Sequence, residues 1–231
     1  MKGAAALGGA PLFCLVTDRR GLAASLGTGE DPIALLEEQV GLAAGAGVDL
    51  VHVRERDLGG AALAALVARL VRRANGSPTR IVVNDRLDVA LAAGASGVHL
   101  RGDSVATDRA RGASPGGFVI GRSVRTAAEA ARESRAGADY LVLGTVFPTP
   151  SKPGDPTLVG PEGLRAAAAI ARVPVLGIGG ISEARVAEIA ATGAAGIAAI
   201  RLFWGAGRDA AAFRGAVARW RRQFDLNRPN T

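Results

Sequence analysis

The chain has 231 residues, 48% hydrophobic and 21% charged, with a net charge of +7. These proportions are ordinary for a soluble globular enzyme of one domain and show no linker. The single cysteine, Cys14, excludes an intrachain disulfide, and no apolar run reaches the roughly 18 residues that cross a bilayer.

Residues 1–10 read as a short disordered lead rather than a signal peptide, because Gly8, Gly9 and Pro11 interrupt them. The first strand is expected over Leu12–Thr17, with Cys14 a buried small apolar residue and the compartment cytosolic. A helix over Pro32–Ala46 opens at Asp31-Pro32 and closes at Ala44-Gly45. Strand Leu50–Val53, helix Ala61–Ala74, strand Arg80–Val83 and helix Leu87–Ala93 follow, then strand Gly97–Leu100. Arg101–Gly117 is short, and its helix signal is the weakest in the chain. Strand Phe118–Val124, helix Thr126–Arg135, strand Tyr140–Val146 and helix Pro161–Ala171 come next. Strand Val173–Ile178, helix Ser182–Thr192, strand Gly196–Ile200 and helix Asp209–Phe224 complete the series, leaving 225–231 as a loose tail. The apolar runs recur about every 25–30 residues, the spacing of βα units. They are continuous rather than alternating, as in strands covered on both faces. Eight such units predict a single-domain (β/α)8 TIM barrel over residues 1–231.

In such a barrel, function gathers where strands end and βα loops begin. Those positions are rich in cations, hydroxyls and carboxylates: Thr17-Asp18; His52, Arg54, Glu55 and Arg56; Asn84-Asp85; His99, Arg101, Asp103 and Ser104; Arg122, Ser123 and Arg125; Thr145 and Thr149; Arg201. Such a rim suits phosphate and a metal ion. Lys152 stands out because only one other lysine, Lys2, occurs among 28 basic residues. Beside Thr149 and Ser151 on a Gly/Pro-rich loop, it is a candidate anion clamp. Gly177–Ile181 reads GIGGI after the seventh strand, where backbone N–H groups can approach a phosphate closely. The bland alternatives are a solvated loop lysine and a packed barrel His99, whereas His52 is a candidate substrate contact that could equally be structural. The positive charge is scattered over arginines with few aromatics, so it points to anionic small substrates rather than nucleic acid.

The ordered motifs LVTD, HVRERD, VNDRLDVALAAGASGVHL, GRSV, GADYLVLGTVFPTPSK, PVLGIGGI and GAAGIAAI resemble the thiamine phosphate synthase family and its relative, the thiazole tautomerase. The resemblance runs from about Leu15 to Phe203. It implies condensation of hydroxymethylpyrimidine diphosphate with a thiazole phosphate, with Mg2+ as cofactor. It also implies that Arg54, Arg56, Asn84, Ser123 and Lys152 hold the pyrimidine diphosphate, with Lys152, Ser123 and Arg54 closest to the chemistry. Asp85 and Asp103 are the implied metal ligands. Thr149 and Ser151 face the thiazole substrate, and Gly179, Gly180 and the loop carrying Arg201 hold its phosphate. The partners implied are small phosphorylated substrates, with neither nucleic acid nor membrane and a homo-oligomer left open. The chain departs from the family pattern at His52 (Gln), Arg56 (Lys), Ser104 (Asp) and Arg201 (a small hydroxyl residue). HVRER is nearer to the tautomerase, whose catalytic His would stand at Arg125. A tautomerase-like enzyme and a non-catalytic phosphate-ligand binder therefore remain as alternatives.

Overall fold

The computed structural model describes residues 7, 9–149 and 158–229. Eight parallel strands close into a barrel in chain order. They are β1 Leu12–Val16, β2 Leu50–Val53, β3 Arg80–Asn84, β4 Gly97–Leu100, β5 Val119–Val124, β6 Tyr140–Gly144, β7 Val175–Ile178 and β8 Gly196–Ala199. The helices are α1 Arg19–Leu26, α2 Pro32–Gly45, α3 Gly60–Ala74, α4 Leu87–Ala92 and α5 Thr107–Ala113. They continue with α6 Ala127–Arg135, α7 Gly160–Ile170, α8 Val186–Ala190, α9 Arg201–Trp204 and α10 Ala210–Asn227. The weak helix signal in Arg101–Gly117 is α5. Two short helices, α1 and α9, were not expected. The expected helix Ser182–Thr192 is split into a 3-10 turn at Glu183–Arg185 and α8.

The strands sort their side chains by period 2 into two cores. Outward residues such as Phe13, Leu15, Val51, Val53, Val83 and Ile120 join the helices in one large cluster. Inward residues form a second cluster of Leu12, Cys14, Val16, Leu50, Val82, Val119, Tyr140, Val142, Leu176 and Ala198. The register places inward positions beside one another all round the barrel: Val16 pairs with His52, Asn84 with His99, His99 with Gly121 and Ser123 with Val142. Gly121 makes room for a large neighbour, since a Cβ there would lie 2.2 Å from the Tyr140 ring.

Parts of both chain ends are among the described residues. Leu7, within the lead expected to be disordered, is half-buried against the interior cluster. The last helix continues to Asn227, three residues past its expected end at Phe224. Arg221 of that helix donates to the Pro11 carbonyl at 2.6 Å and pairs with Asp49 at 2.7 Å, tying the final helix to β1 and β2.

Candidate functional site

The carboxyl-terminal mouth is built first by the β2–α3 loop. Arg54 and Arg56 sit on it, alternating with Glu55 and Asp57. Glu55 is buried and accepts from the Arg19 guanidinium at 2.7 Å, and Asp57 takes the other side of the same guanidinium at 2.6 Å. Arg19, at the start of α1, is itself buried. The acidic residues of HVRERD therefore face α1 and leave the arginines to the mouth. The Arg54 N–H donates to Thr17 Oγ1 at 2.9 Å, which fixes the loop to the end of β1. Burial pushes the Arg54 guanidinium pKa down, and Arg56 and Arg101 push the same way against Asp18 and Glu55. Arg54 is thus a half-buried cation crowded by cations. Arg19 and Asp57 were missed as site-building residues, and Glu55 was read only as a rim position; the charge alternation in RERD was the available signal.

Below the mouth lie the only two histidines of the chain, their rings tilted by 42° with centroids 4.4 Å apart. His52 Nε2 meets Asn84 Oδ1 at 3.2 Å, so the Asn84 NH2 is turned away from the ring. His99 spans Tyr140 Oη at 3.0 Å and Ser123 Oγ at 2.9 Å. Both rings are held neutral. Burial, with the charge of Arg54 added, lowers His52 to about 3. Burial, His52, Arg122 and Arg54 together hold His99 well below its ordinary value. His52, itself an expected substrate contact, is thus buried with His99 beneath Asn84 and Ser123, two further expected contacts. Tyr140 was expected only as a strand residue.

The rim after β3 and β4 carries the acidic groups. Asp85 has φ 63, an uncommon left-handed conformation that Asp tolerates. Its N–H donates to the His99 carbonyl at 2.9 Å, and its carboxylate accepts from the Ser104 hydroxyl. Ser104 also accepts from the Arg101 N–H at 2.8 Å, which closes the turn. Asp103 is the surprise. Both of its oxygens accept from the Arg101 guanidinium, and its side chain is 70% exposed. The Arg101 guanidinium also lies 3.8 Å from Asp85. The two carboxylates expected to share a metal thus share an arginine. Among the described residues no cluster of three His, Cys, Asp or Glu side chains converges as a metal site. Mg2+ commonly takes one or two carboxylates and completes its shell with water and substrate phosphates. Asp85, beside the Ser104 hydroxyl, fits that pattern; the Asp103 carboxylate is taken up by the Arg101 guanidinium.

The remaining candidates are dispersed. Arg122 points outward and clamps the preceding loop through the Val105 and Gly102 carbonyls at 2.7 and 3.1 Å. The Arg125 N–H donates to Glu129 at 2.7 Å, one residue before the N-cap Thr126, whose hydroxyl accepts from the Glu129 N–H at 3.1 Å. Gly179 and Gly180 have φ 102 and 63, and a Cβ on either would lie 2.5 Å from the loop after β6, at Thr145 Cγ2 or the Pro148 carbonyl. Close packing between two loops therefore requires those glycines. Arg201 is exposed, its guanidinium 5.9 Å from the Trp204 ring centroid. Thr149 is half-buried at the end of the described loop, whereas Ser151 and Lys152 lie outside the described residues.

A barrel mouth with crowded arginines, one half-buried aspartate and hydroxyl and amide donors suits an anionic ligand. A family model described as thiamine monophosphate synthase matches residues 25–203. A thiamine-phosphate synthase of Methanoculleus marisnigri is 39% identical over 75% of this chain and 82% of its own length. That of Salinispora arenicola is 38% identical over 80% of this chain and 86% of its own. Thiamine phosphate pyrophosphorylase from Pyrococcus furiosus superposes with a TM-score of 0.74 at 30% identity, over 93% of this chain and 96% of that one. On a match that spans most of the barrel, the chain belongs to the thiamine monophosphate synthase family.

Proposed function

We propose that the chain is a transferase that condenses 4-amino-5-hydroxymethyl-2-methylpyrimidine diphosphate with 4-methyl-5-(2-phosphoethyl)thiazole. The products are thiamine phosphate and diphosphate. The observation that carries this reading is the half-buried Arg54, crowded by Arg56 and Arg101, over the donors Asn84 and Ser123. A guanidinium in that position is relieved by a multiply charged anion. Arg54, Arg56 and Lys152 would hold the diphosphate, with Asn84 and Ser123 donating to its oxygens. Thr149, Ser151, Gly179, Gly180 and Arg201 would border the thiazole phosphate.

Asp85 and the Ser104 hydroxyl are the groups of this chain that would hold Mg2+ together with substrate phosphates. Bound there, the ion supplies charge neutralisation to a leaving diphosphate. The protein's own part is positioning and electrostatic. The bond between the exocyclic methylene carbon and diphosphate breaks, and its electron pair departs with diphosphate. The aminopyrimidine spreads the positive charge left on that carbon. The thiazole nitrogen lone pair then forms the new C–N bond. No proton need move to or from the protein, which agrees with two neutral, low-pKa histidines beneath the rim. Fixed donors and orientation of the two substrates supply the rate.

The test is purified protein with both substrates, with and without Mg2+, following diphosphate release. Turnover that needs both substrates and the ion supports the reading. Isomerisation of a thiazole carboxylate phosphate without the pyrimidine would instead favour the tautomerase activity. Tight binding of either substrate without turnover would make the chain a phosphate-ligand binder.

A further inference from the structure

We infer that Tyr140, His99 and Ser123 form a one-way hydrogen-bond relay in the barrel interior, which commits the Ser123 hydroxyl to donating into the mouth. Tyr140 is fully buried, with its hydroxyl 3.0 Å from His99 Nδ1; the far side of the same ring is 2.9 Å from Ser123 Oγ. Two proton orders fit these distances. In one, Tyr140 donates to Nδ1, Nε2–H donates to Ser123 Oγ, and the Ser123 proton is left for a third partner. In the other, every donor is reversed, and the Tyr140 proton needs an acceptor of its own.

Burial decides between them. The walls around Tyr140 are apolar side chains, glycine and the neutral Cys14 thiol, a weak hydrogen-bonding group, with Val119, Val142, Leu176 and Gly121 sharing the inward face of the barrel. Among the described residues, His99 is the one hydrogen-bond partner of the Tyr140 hydroxyl. A buried O–H left without an acceptor is costly, whereas a Ser hydroxyl at the half-open mouth can give its proton to a ligand or to water. The outward order therefore wins. The His99 ring is neutral, and in this order it cannot accept a proton from Ser123 at Nε2 because that nitrogen already carries one. Ser123 is then not an activated nucleophile. It is a fixed donor to an anion, and Tyr140 and His99 are positioning residues that act through it.

The choice of diphosphate as the acceptor rests on the proposed function; the relay itself does not. Only two imidazoles are present, so nitrogen NMR of the labelled free protein, assigned with His52→Gln, reads the tautomer of His99 directly. The neutral Nε2–H form is expected; a neutral Nδ1–H form or a charged ring near pH 7 overturns the relay. Tyr140→Phe should remove the dominance of that tautomer. It should also weaken inorganic diphosphate binding, read by calorimetry with Mg2+ present, about tenfold. Ser123→Ala should weaken it at least as much, and the double variant should be no worse than Ser123→Ala alone, because the groups act in series. Additive losses, or unchanged affinity with Tyr140→Phe folded as judged by circular dichroism, would count against the relay. Failure of the parent protein to bind diphosphate would refute the proposed ligand, and the tautomer measurement would still decide the relay.

Discussion

Ser104 is the residue at which this mouth can be retuned most simply. Its hydroxyl donates to the Asp85 carboxylate and accepts from the Arg101 N–H, so it joins the two halves of the acidic rim. Replacing it by aspartate puts a second carboxylate against Asp85, where like charges repel. In the absence of divalent ions, Ser104→Asp should lower the melting temperature by a few degrees, the shift of about 1 kcal/mol in a domain of this size. Mg2+ should then restore it, because a second hard oxygen ligand strengthens the cation's hold. The check is the Mg2+-induced rise in melting temperature, expected to be larger in the variant than in the parent. An equal rise would show that Asp85 alone sets metal affinity. On the opposite side of the mouth, Arg54→Gln keeps hydrogen-bonding capacity and removes the charge. Turnover should fall about 10²-fold or more, the scale of losing one charge-stabilising donor, with thermal stability little changed. Lys152→Ala should lose a similar amount if its ammonium meets the leaving diphosphate, and wild-type diphosphate release would reduce it to a surface lysine.

At the scale of elements, α1 matters more than its eight residues suggest. Its Arg19 forms an ion pair with Glu55 whose side chains are only 8% and 3% exposed, and Asp57 completes the clamp. Removing one partner of such a pair strands a buried charge, typically at a cost of about 3–5 kcal/mol. Arg19→Met should therefore lower the urea midpoint by that equivalent. It should also raise the KM for the pyrimidine diphosphate, because the loop carrying Arg54 and Arg56 loses its anchor. Stability lost with KM unchanged would confine Arg19 to folding. Helix α1 also shows where sequence reading stopped. Its mean composition is polar, and its start is set by Asp18, which accepts from the Gly21 N–H at 2.9 Å. A local cap and a tertiary ion pair made the helix; no apolar periodicity announced it. The eight strands were legible because both faces of each are buried, giving unbroken apolar runs. The site was legible as residue types at strand ends, and Asn84, Asp85 and Ser123 do stand at one mouth. What sequence did not show was side-chain direction. Arg122 and Ser123 are neighbours in the chain but lie on opposite faces of β5. Asp103 turns to Arg101 because a guanidinium was available two residues away.

For the molecule as a whole, the interior histidines make stability depend on pH. His52 falls to about 3 from an ordinary value of 6.5, and His99 is lowered as well. Arg54 at the mouth adds its charge to both rings, and Arg122 on the outer face of β5 adds its own to His99; Tyr140 and Asn84 bond to the pair, and the Cys14 thiol in the same interior is pushed up by burial and so stays neutral. In the unfolded chain both imidazoles take up protons near 6.5; in the barrel they resist. The unfolded state therefore binds more protons below that pH, and folding stability is full above about 6.5 and declines as pH falls toward 3. Each histidine contributes a slope of up to about 1.4 kcal/mol per pH unit in that range. Carboxylates held low by arginines act in a lower window: Asp57, paired with Arg19, and Asp88, paired with Arg86, both fall to about 2 and lose their contribution only below the ordinary carboxylate range. The interval from pH 6 to 5 thus isolates the histidines. Urea unfolding across it should show a steep loss of stability in the parent protein. His52→Gln, which keeps a side-chain donor for Asn84, should show about half that slope, since one titrating ring remains. Identical slopes in the two proteins would mean that His52 is solvated enough to titrate normally, and that the barrel interior beneath the mouth is wetter than its packing implies.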